Sequence, residues 1–152
     1  MSDQTTGTST NNQRTTFTDT SKVFIGGNRF DVFDTDFTNS SYATLGIAEG
    51  TVFGQVAGTL KVKPLDPLAQ DGSQYPIGIL KGKLEVESGS YFTDQVTLCV
   101  AGDVAENKVL FADNVTTINT VVDGRTLRAR IGADTVGIKL VASTELTEYD
   151  ND

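Results

Sequence analysis

The 152-residue chain contains no histidine, no tryptophan and a single cysteine. Without histidine there is no side chain whose ordinary pKa lies near neutrality. The commonest metal ligand is missing too, as is every Ser-His or Cys-His nucleophile pair. One cysteine permits no intrachain disulfide, which fits folding in a reducing cytoplasm. Cys99 sits mid-strand in VTLCVAG with no partner to lower its pKa, so it reads as a small buried hydrophobe. A hydrolase acting on sugars needs only two carboxylates. The acids here fall mostly at turns or on wet strand faces, and the absence of tryptophan removes the usual aromatic platform of a sugar cleft.

Positive charge is scarce as well. Twelve Lys and Arg stand against twenty Asp and Glu, a net charge of −8. Neutralising phosphates requires a basic face, so nucleic acid is not an expected partner. The acidity instead keeps a surface soluble and non-sticky. No apolar run approaches the roughly 20 residues that span a bilayer. The start, MSDQTTGTSTNNQRTT, lacks the basic and apolar regions of a signal peptide. The expectation is a protein made in cytosol, with no membrane partner.

Neither GxxxxGK[ST] nor a strand–GxGxxG–helix unit occurs, so no cofactor is expected. Asp31, Asp34 and Asp36 in DVFDTDF loosely resemble calcium-binding spacing. The glycine and distal glutamate of that pattern are missing, which leaves a solvated turn and no expected metal. Asn114-Val115-Thr116 is a glycosylation sequon, without consequence in a chain that is not secreted. No catalytic residue emerges, and no enzyme is expected.

What is present is a β-forming composition. Hydrophobic residues make up only 38%, and Thr, Ser, Asn and Gly fill the shortfall. The length fits one domain with a real core. Residues 1–20 are almost free of large apolar groups and read as a flexible N-terminal arm. Residues 21–40 are dense in Val23, Phe24, Ile25, Phe30, Val32, Phe33 and Phe37. Gly26-Gly27-Asn28 predicts a turn between two short strands there. These phenylalanines either complete the core or dock on a neighbour.

After a polar break at Asn39-Ser40-Ser41, a β-rich domain spans 41–145, followed by an acidic tail, 146–152. The stretch Gly50 to Leu80 reads as strand, turn, strand, loop, strand. Val52 and Val56 fall on one face of the first strand, Phe53 and Gln55 on the other. Leu60 to Lys63 alternates up to Pro64, and Asp71-Gly72 marks a turn. Leu80 to Glu87 is the cleanest alternation, with Lys81, Lys83, Glu85 and Glu87 on a wet face. A Ser-Gly-Ser turn leads to a strand at Gln95–Ala101, a turn at Gly102-Asp103 and a short strand at Lys108–Ala112. Thr126 caps a helix in LRARIGA with Gly132 as its stop, although the same letters also alternate as a strand would. Val136, Ile138, Leu140 and Ala142 form a final strand.

The order GTVFGQV, a turn, LKVKPLDP, DGSQYPIGIL, a charged-faced strand and DQVTLCVAGDV resembles the head decoration (capsid-stabilising) proteins of tailed bacteriophages, the lambda-type family. DGRTLRARIGADTVGIKLV also suits it. The resemblance covers roughly Leu45 to Ala142. It implies a small β-rich domain, barrel- or sandwich-like, that forms homotrimers. These would sit on the outer surface of the expanded capsid at three-fold and quasi-three-fold positions, clamping the major capsid protein against packaged DNA. It also implies an N-terminal arm that adds a strand to a capsid edge, which needs only backbone hydrogen bonds and a few apolar anchors. Phe17, Val23, Phe24, Ile25, Phe30 and Phe33 are the expected capsid-binding residues. The alternative reading is a virion-surface or fibre-like β domain that binds host glycans, favoured if the aromatics at Phe30 to Phe37 are exposed.

Overall fold

The computed structural model describes residues 22–35, 37–38, 45–86, 91–92 and 94–142. The arm at 1–20 with Phe17, the calcium-like Asp36, the break at 39–41, the turn at 88–90 and the tail at 146–152 lie outside the described residues.

The architecture is mainly β with one short helix, and the sheets do not close into a barrel. In chain order the strands are β1 (Phe24–Asp34), β2 (Phe37–Thr38), β3 (Leu45–Ile47), β4 (Val52–Gln55), β5 (Val62–Pro64), β6 (Pro76–Leu80), β7 (Leu84–Val86), β8 (Tyr91–Phe92), β9 (Gln95–Ala105), β10 (Val121–Val122), β11 (Arg125–Thr126) and β12 (Gly137–Val141). Helix α1 (Leu127–Asp134) precedes β12. The main sheet runs β1-β9-β6-β4-β5, and β12 pairs in parallel with the second half of β9. A single bridge from Thr35 to Val62 brings the two ends of that order together.

Both faces of this sheet are buried. Val52, Ile79 and Cys99 enter one core with Leu127 and Ile131 of α1. Their sequence neighbours Phe53, Leu80 and Leu98 enter a second core with Ile47. Successive side chains point to opposite faces of a strand, so adjacent residues necessarily feed different cores. Each such side chain contributes roughly 1.5–3 kcal/mol when fully buried.

The three strands read from Gly50 to Leu80 are present as β4, β5 and β6, with β4 between the other two. Val52 and Phe53 do face opposite ways. Several other expectations are corrected. Gly26-Gly27-Asn28 is not a turn between strands but a bulge inside the continuous β1. Gly26 pairs with Asp103 and Arg29 with Ala101, so Gly27 and Asn28 together oppose Gly102. Asn28 holds the bulge: its Oδ1 accepts from the Gly26 amide at 3.1 Å and its Nδ2 donates to the Asp103 carbonyl at 3.0 Å. Gly102 likewise does not turn the chain, and β9 runs on to Ala105. Gly102 has φ +104, and a Cβ there would lie 2.6 Å from Gly27 O and from Asn28 Cα.

The alternating run from Leu80 to Glu87 is split. Gly82, at φ +83, bends the chain between β6 and β7, and its amide donates to Glu49 Oε2 at 2.8 Å. Leu60 belongs to a turn, not to a strand, and Lys108–Ala112 is no strand: a 3-10 turn at Glu106–Lys108 precedes one bridge from Leu110 to Thr51. The helix starts as read, with Thr126 Oγ1 accepting from the Ala129 amide at 3.3 Å. It continues past Gly132 and ends at Thr135, whose hydroxyl donates to Ile131 O at 2.5 Å and accepts from the Ile138 amide at 3.1 Å. Val136 is excluded from the last strand and is exposed.

The loop between β5 and β6 is fixed by Asp71. The Ser73 hydroxyl donates to its carboxylate at 2.6 Å, the Ser73 amide at 3.0 Å, and Lys63 Nζ pairs at 3.0 Å. Those bonds hold the Asp71 carboxyl well below the usual carboxylate range. A depressed folded pKa stabilises the fold above the unfolded value of about 3.9 and loses that contribution as pH falls below it. Asp71→Asn should therefore flatten the fall in thermal midpoint below about pH 4, and an acid limb as steep as the parent's would contradict this role. Gly102→Ala should destabilise by at least about 2 kcal/mol in denaturant titration, from strain and clash together. Gly46→Ala meets no atom within 4 Å and is the control.

Candidate functional site

The reactive groups that sequence reading singled out are held by burial or by partners. Cys99 is fully buried, accepts a 3.5 Å contact from Asn28 Nδ2 and donates to Ala101 O at 3.1 Å. Burial pushes its thiol pKa up, away from nucleophilic character. Among the described residues, no three His, Cys, Asp or Glu side chains gather into a metal-sized cluster. No helix among them is long and apolar enough to cross a membrane.

Arg130 illustrates how charge is spent on bracing. Its Nε donates to Val122 O at 2.6 Å, its Nη2 to Asp123 O at 3.1 Å, and its Nη1 pairs with Asp134 at 3.2 Å. The guanidinium also lies 4.8 Å from the centre of the Tyr75 ring. Tyr75 hydrogen-bonds the Asp123 carboxylate, which pushes the phenol pKa up. Arg130 thus ties the β10–β11 hairpin to α1 and to the start of β6. No periodicity in the sequence signals this role; Asp123-Gly124, both at positive φ, is the local sign of the hairpin it holds.

Three surfaces among the described residues could serve contact. The first is the outer edge of β1, an edge strand among the described residues, whose outward N–H and C=O groups can pair with another chain. Val32 on it is 62% exposed. Of the residues expected to bind a capsid, β1 and its root hold five. Val23, Phe24 and Phe30 pack on the first core and Phe33 on the second, while Ile25 is half-buried. Phe24 and Phe30 meet edge to face at 5.2 Å, and Lys81 Nζ sits 4.4 Å from the Phe30 ring centre. Phe37 also packs on the second core. Those aromatics therefore pack on the cores while keeping part of their surface open.

The second surface is a pair of projecting leucines that sequence reading placed in a strand or passed over. Leu60 is 65% exposed and adopts φ 61, a conformation that is an outlier for a bulky residue. The turn is stitched by Leu60 N to Val56 O (2.8 Å), Val56 N to Lys61 O (2.9 Å) and Gln55 Nε2 to Leu60 O (2.9 Å). Leu68 is 88% exposed at the corner of Asp66-Pro67-Leu68-Ala69, where Asp66 O accepts from the Ala69 amide. The Ala57 amide donates to Asp71 O at 2.8 Å and so joins the two loops.

The third is an open groove of about 340 Å³ beside the 3-10 turn. Val109, Leu110, Phe111 and Ile118 contribute apolar surface; Asn107, Asn114, Thr116 and Thr117 contribute polar groups. Asp113 fixes one wall, accepting from the amides of Val115 and Thr116 at 2.9 and 2.8 Å. Arg128 of α1 pairs with Glu106 and with Asn119 and fixes the other.

No curated protein sequence matches the chain. A family model does, described as bacteriophage lambda head decoration protein D, over residues 41–130. That span contains the central strands β4, β6 and β9, the leucine turns, the groove and the first turn of α1. With more than half its length in the match, the chain belongs to the bacteriophage lambda head decoration protein D family.

Proposed function

We propose that the protein is a structural virion component that binds the outer surface of the expanded phage head and stabilises the shell. It does so as a homotrimer seated at three-fold and quasi-three-fold positions, with the major capsid protein as its partner. The observation that carries this reading is the family match across residues 41–130. The geometry is compatible with it: rigid two-sided packing, an edge strand and exposed apolar tips are what adhesion needs. The N-terminal arm, residues 1–20, adds its backbone to a capsid edge with Phe17 as its apolar anchor. Val23, Phe24, Phe30 and Phe33 secure the root of that arm through the cores, and Ile25 offers apolar surface beside it. Trimeric presentation multiplies weak arm contacts without any new contact type. The glycan-binding alternative gains no support, since Phe30, Phe33 and Phe37 pack against the cores.

Co-sedimentation with expanded, undecorated heads tests the reading. The protein should pellet with the heads; protein that stays free far above the capsid-subunit concentration overturns it. Removing residues 1–20 should lower the thermal midpoint by no more than about 5 °C. It should weaken attachment at least about ten-fold. Unchanged affinity would transfer the anchoring to β1 or to the Leu60–Leu68 end.

A further inference from the structure

The sequence contains two Asp-Gly pairs, Asp71-Gly72 and Asp123-Gly124. An aspartate before glycine is a labile point of a main chain, because no Cβ shields the glycine nitrogen from the neighbouring side-chain carboxyl. That nitrogen can attack Cγ and close a succinimide ring. In a folded protein the reaction requires the carboxyl and the peptide group to be free to turn toward each other. The fold treats the two pairs differently.

Asp71-Gly72 is locked. One carboxylate oxygen accepts from the Ser73 amide at 3.0 Å and from the Ser73 hydroxyl at 2.6 Å, and the other pairs with Lys63 at 3.0 Å. The Asp71 carbonyl accepts from the Ala57 amide at 2.8 Å, and the Gly72 amide donates to Gln74 Oε1 at 2.8 Å. A Cβ on Gly72 would lie 2.7 Å from Gln55 O and 2.9 Å from Ala57 N, so main chain fills the space a rotating peptide needs. The same bonds keep Asp71 ionised, and a carboxylate is a far poorer target for a nitrogen nucleophile than a neutral carboxyl.

Asp123-Gly124 is open. The pair forms the tip between β10 and β11, where Val122 lies opposite Arg125, and residues 123–125 are exposed. Among the described residues the Asp123 carboxylate has one hydrogen-bond partner, the Tyr75 hydroxyl. The Asp123 carbonyl accepts from Arg130 Nη2 at 3.1 Å. The Gly124 amide has no hydrogen-bond partner among the described residues, and a Cβ on Gly124 would meet nothing within 4 Å. A short hairpin tip of this kind opens locally without unfolding the domain.

We infer that Asp123-Gly124 is a site of spontaneous isoaspartate formation in the folded protein, and that Asp71-Gly72 is protected from it. The Gly124 nitrogen bonds to Asp123 Cγ, and one Cγ–O bond breaks. That oxygen takes the carboxyl proton and the amide proton and leaves as water. Water then adds at the main-chain carbonyl carbon of Asp123 and breaks its bond to the Gly124 nitrogen, so the chain runs through Cγ. The net change is an isomerisation that needs no co-reactant beyond water. It adds one carbon to the main chain of the tip. The acceptors held by Tyr75 and Arg130 also exchange character, a peptide carbonyl replacing the carboxylate and a carboxylate replacing the carbonyl. None of this depends on what the protein binds.

Ageing the full chain at physiological temperature and neutral pH, native and in denaturant side by side, tests the assignment. Isomerisation leaves mass unchanged, so the tryptic peptides 62–81 and 109–125 are followed as isomer pairs by chromatography, with fragmentation to place the altered residue. In denaturant both pairs should convert at similar rates. In the native protein Asp123 should convert within a few-fold of its denatured rate. Asp71 should slow at least about ten-fold, the factor that ~1.4 kcal/mol on a barrier gives. Equal native rates at the two pairs overturn the inference, as does a native Asp123 that stays intact while the denatured chain converts. Ser73→Ala, which removes one donor to Asp71, should speed conversion at Asp71 several-fold and leave Asp123 unchanged. Lys63→Met, at the partly exposed rim of the loop, is a second probe with the same expectation should the first variant unfold. No rise at Asp71 in a variant with the parent's far-UV circular dichroism contradicts the locking.

Discussion

The pairing of β9 is the constraint on which the structure depends. Its eleven residues, Gln95–Ala105, bond to β1 along one side and to β6 and then β12 along the other. Within the main sheet it is the strand through which β1 and β12 join β6, β4 and β5. The bulge at Gly27-Asn28 is part of the same constraint. Gly102 lets the backbone of β1 come close enough for Asn28 to bond Asp103, and two strands of eleven residues stay paired across the shifts in register.

A sheet buried on both faces gives a small acidic chain two cores. Adjacent pairs such as Val52 with Phe53 and Leu98 with Cys99 supply two cores from one set of strands. Charge is then left for bracing at the periphery, as in the pairs Lys63–Asp71, Arg128–Glu106 and Arg130–Asp134. Exposed or half-exposed pairs of this kind contribute little stability singly, about 0–1 kcal/mol. Their effect is to hold loops in place. What the surface then offers is shape, edge and apolar tips, which suits a member of a phage head decoration family.

Much of this was legible where the determining chemistry is local. Thr126 announced the helix start, and the turn residues between Gly50 and Leu80 announced three strands. Gly102-Asp103 misled because a turn dipeptide has the same local signature as a bulge; only the distant Asn28 decides between them. Leu80 to Glu87 misled because its alternation is real, yet Gly82 redirects the chain while Leu80 and Leu84 still reach the same core. Phe24, Phe30 and Phe33 read from sequence as core or as anchors, and only the three-dimensional packing shows them half-buried against the two cores. Leu60 misled because it falls into the alternation that runs to Pro64, and Leu68 carries no periodic signal; the exposure of both follows from turn geometry. The groove was invisible because its lining combines a 3-10 turn with a loop held from the far side by Arg128.

Native-state hydrogen exchange tests the central role of β9 most directly. Amides from Val96 to Val104 and their β1 partners should be the slowest in the protein and should exchange together, only by global unfolding. If β1 amides exchange far faster than those of β9, through an opening of their own, then the paired strands are not one cooperative unit and the account fails.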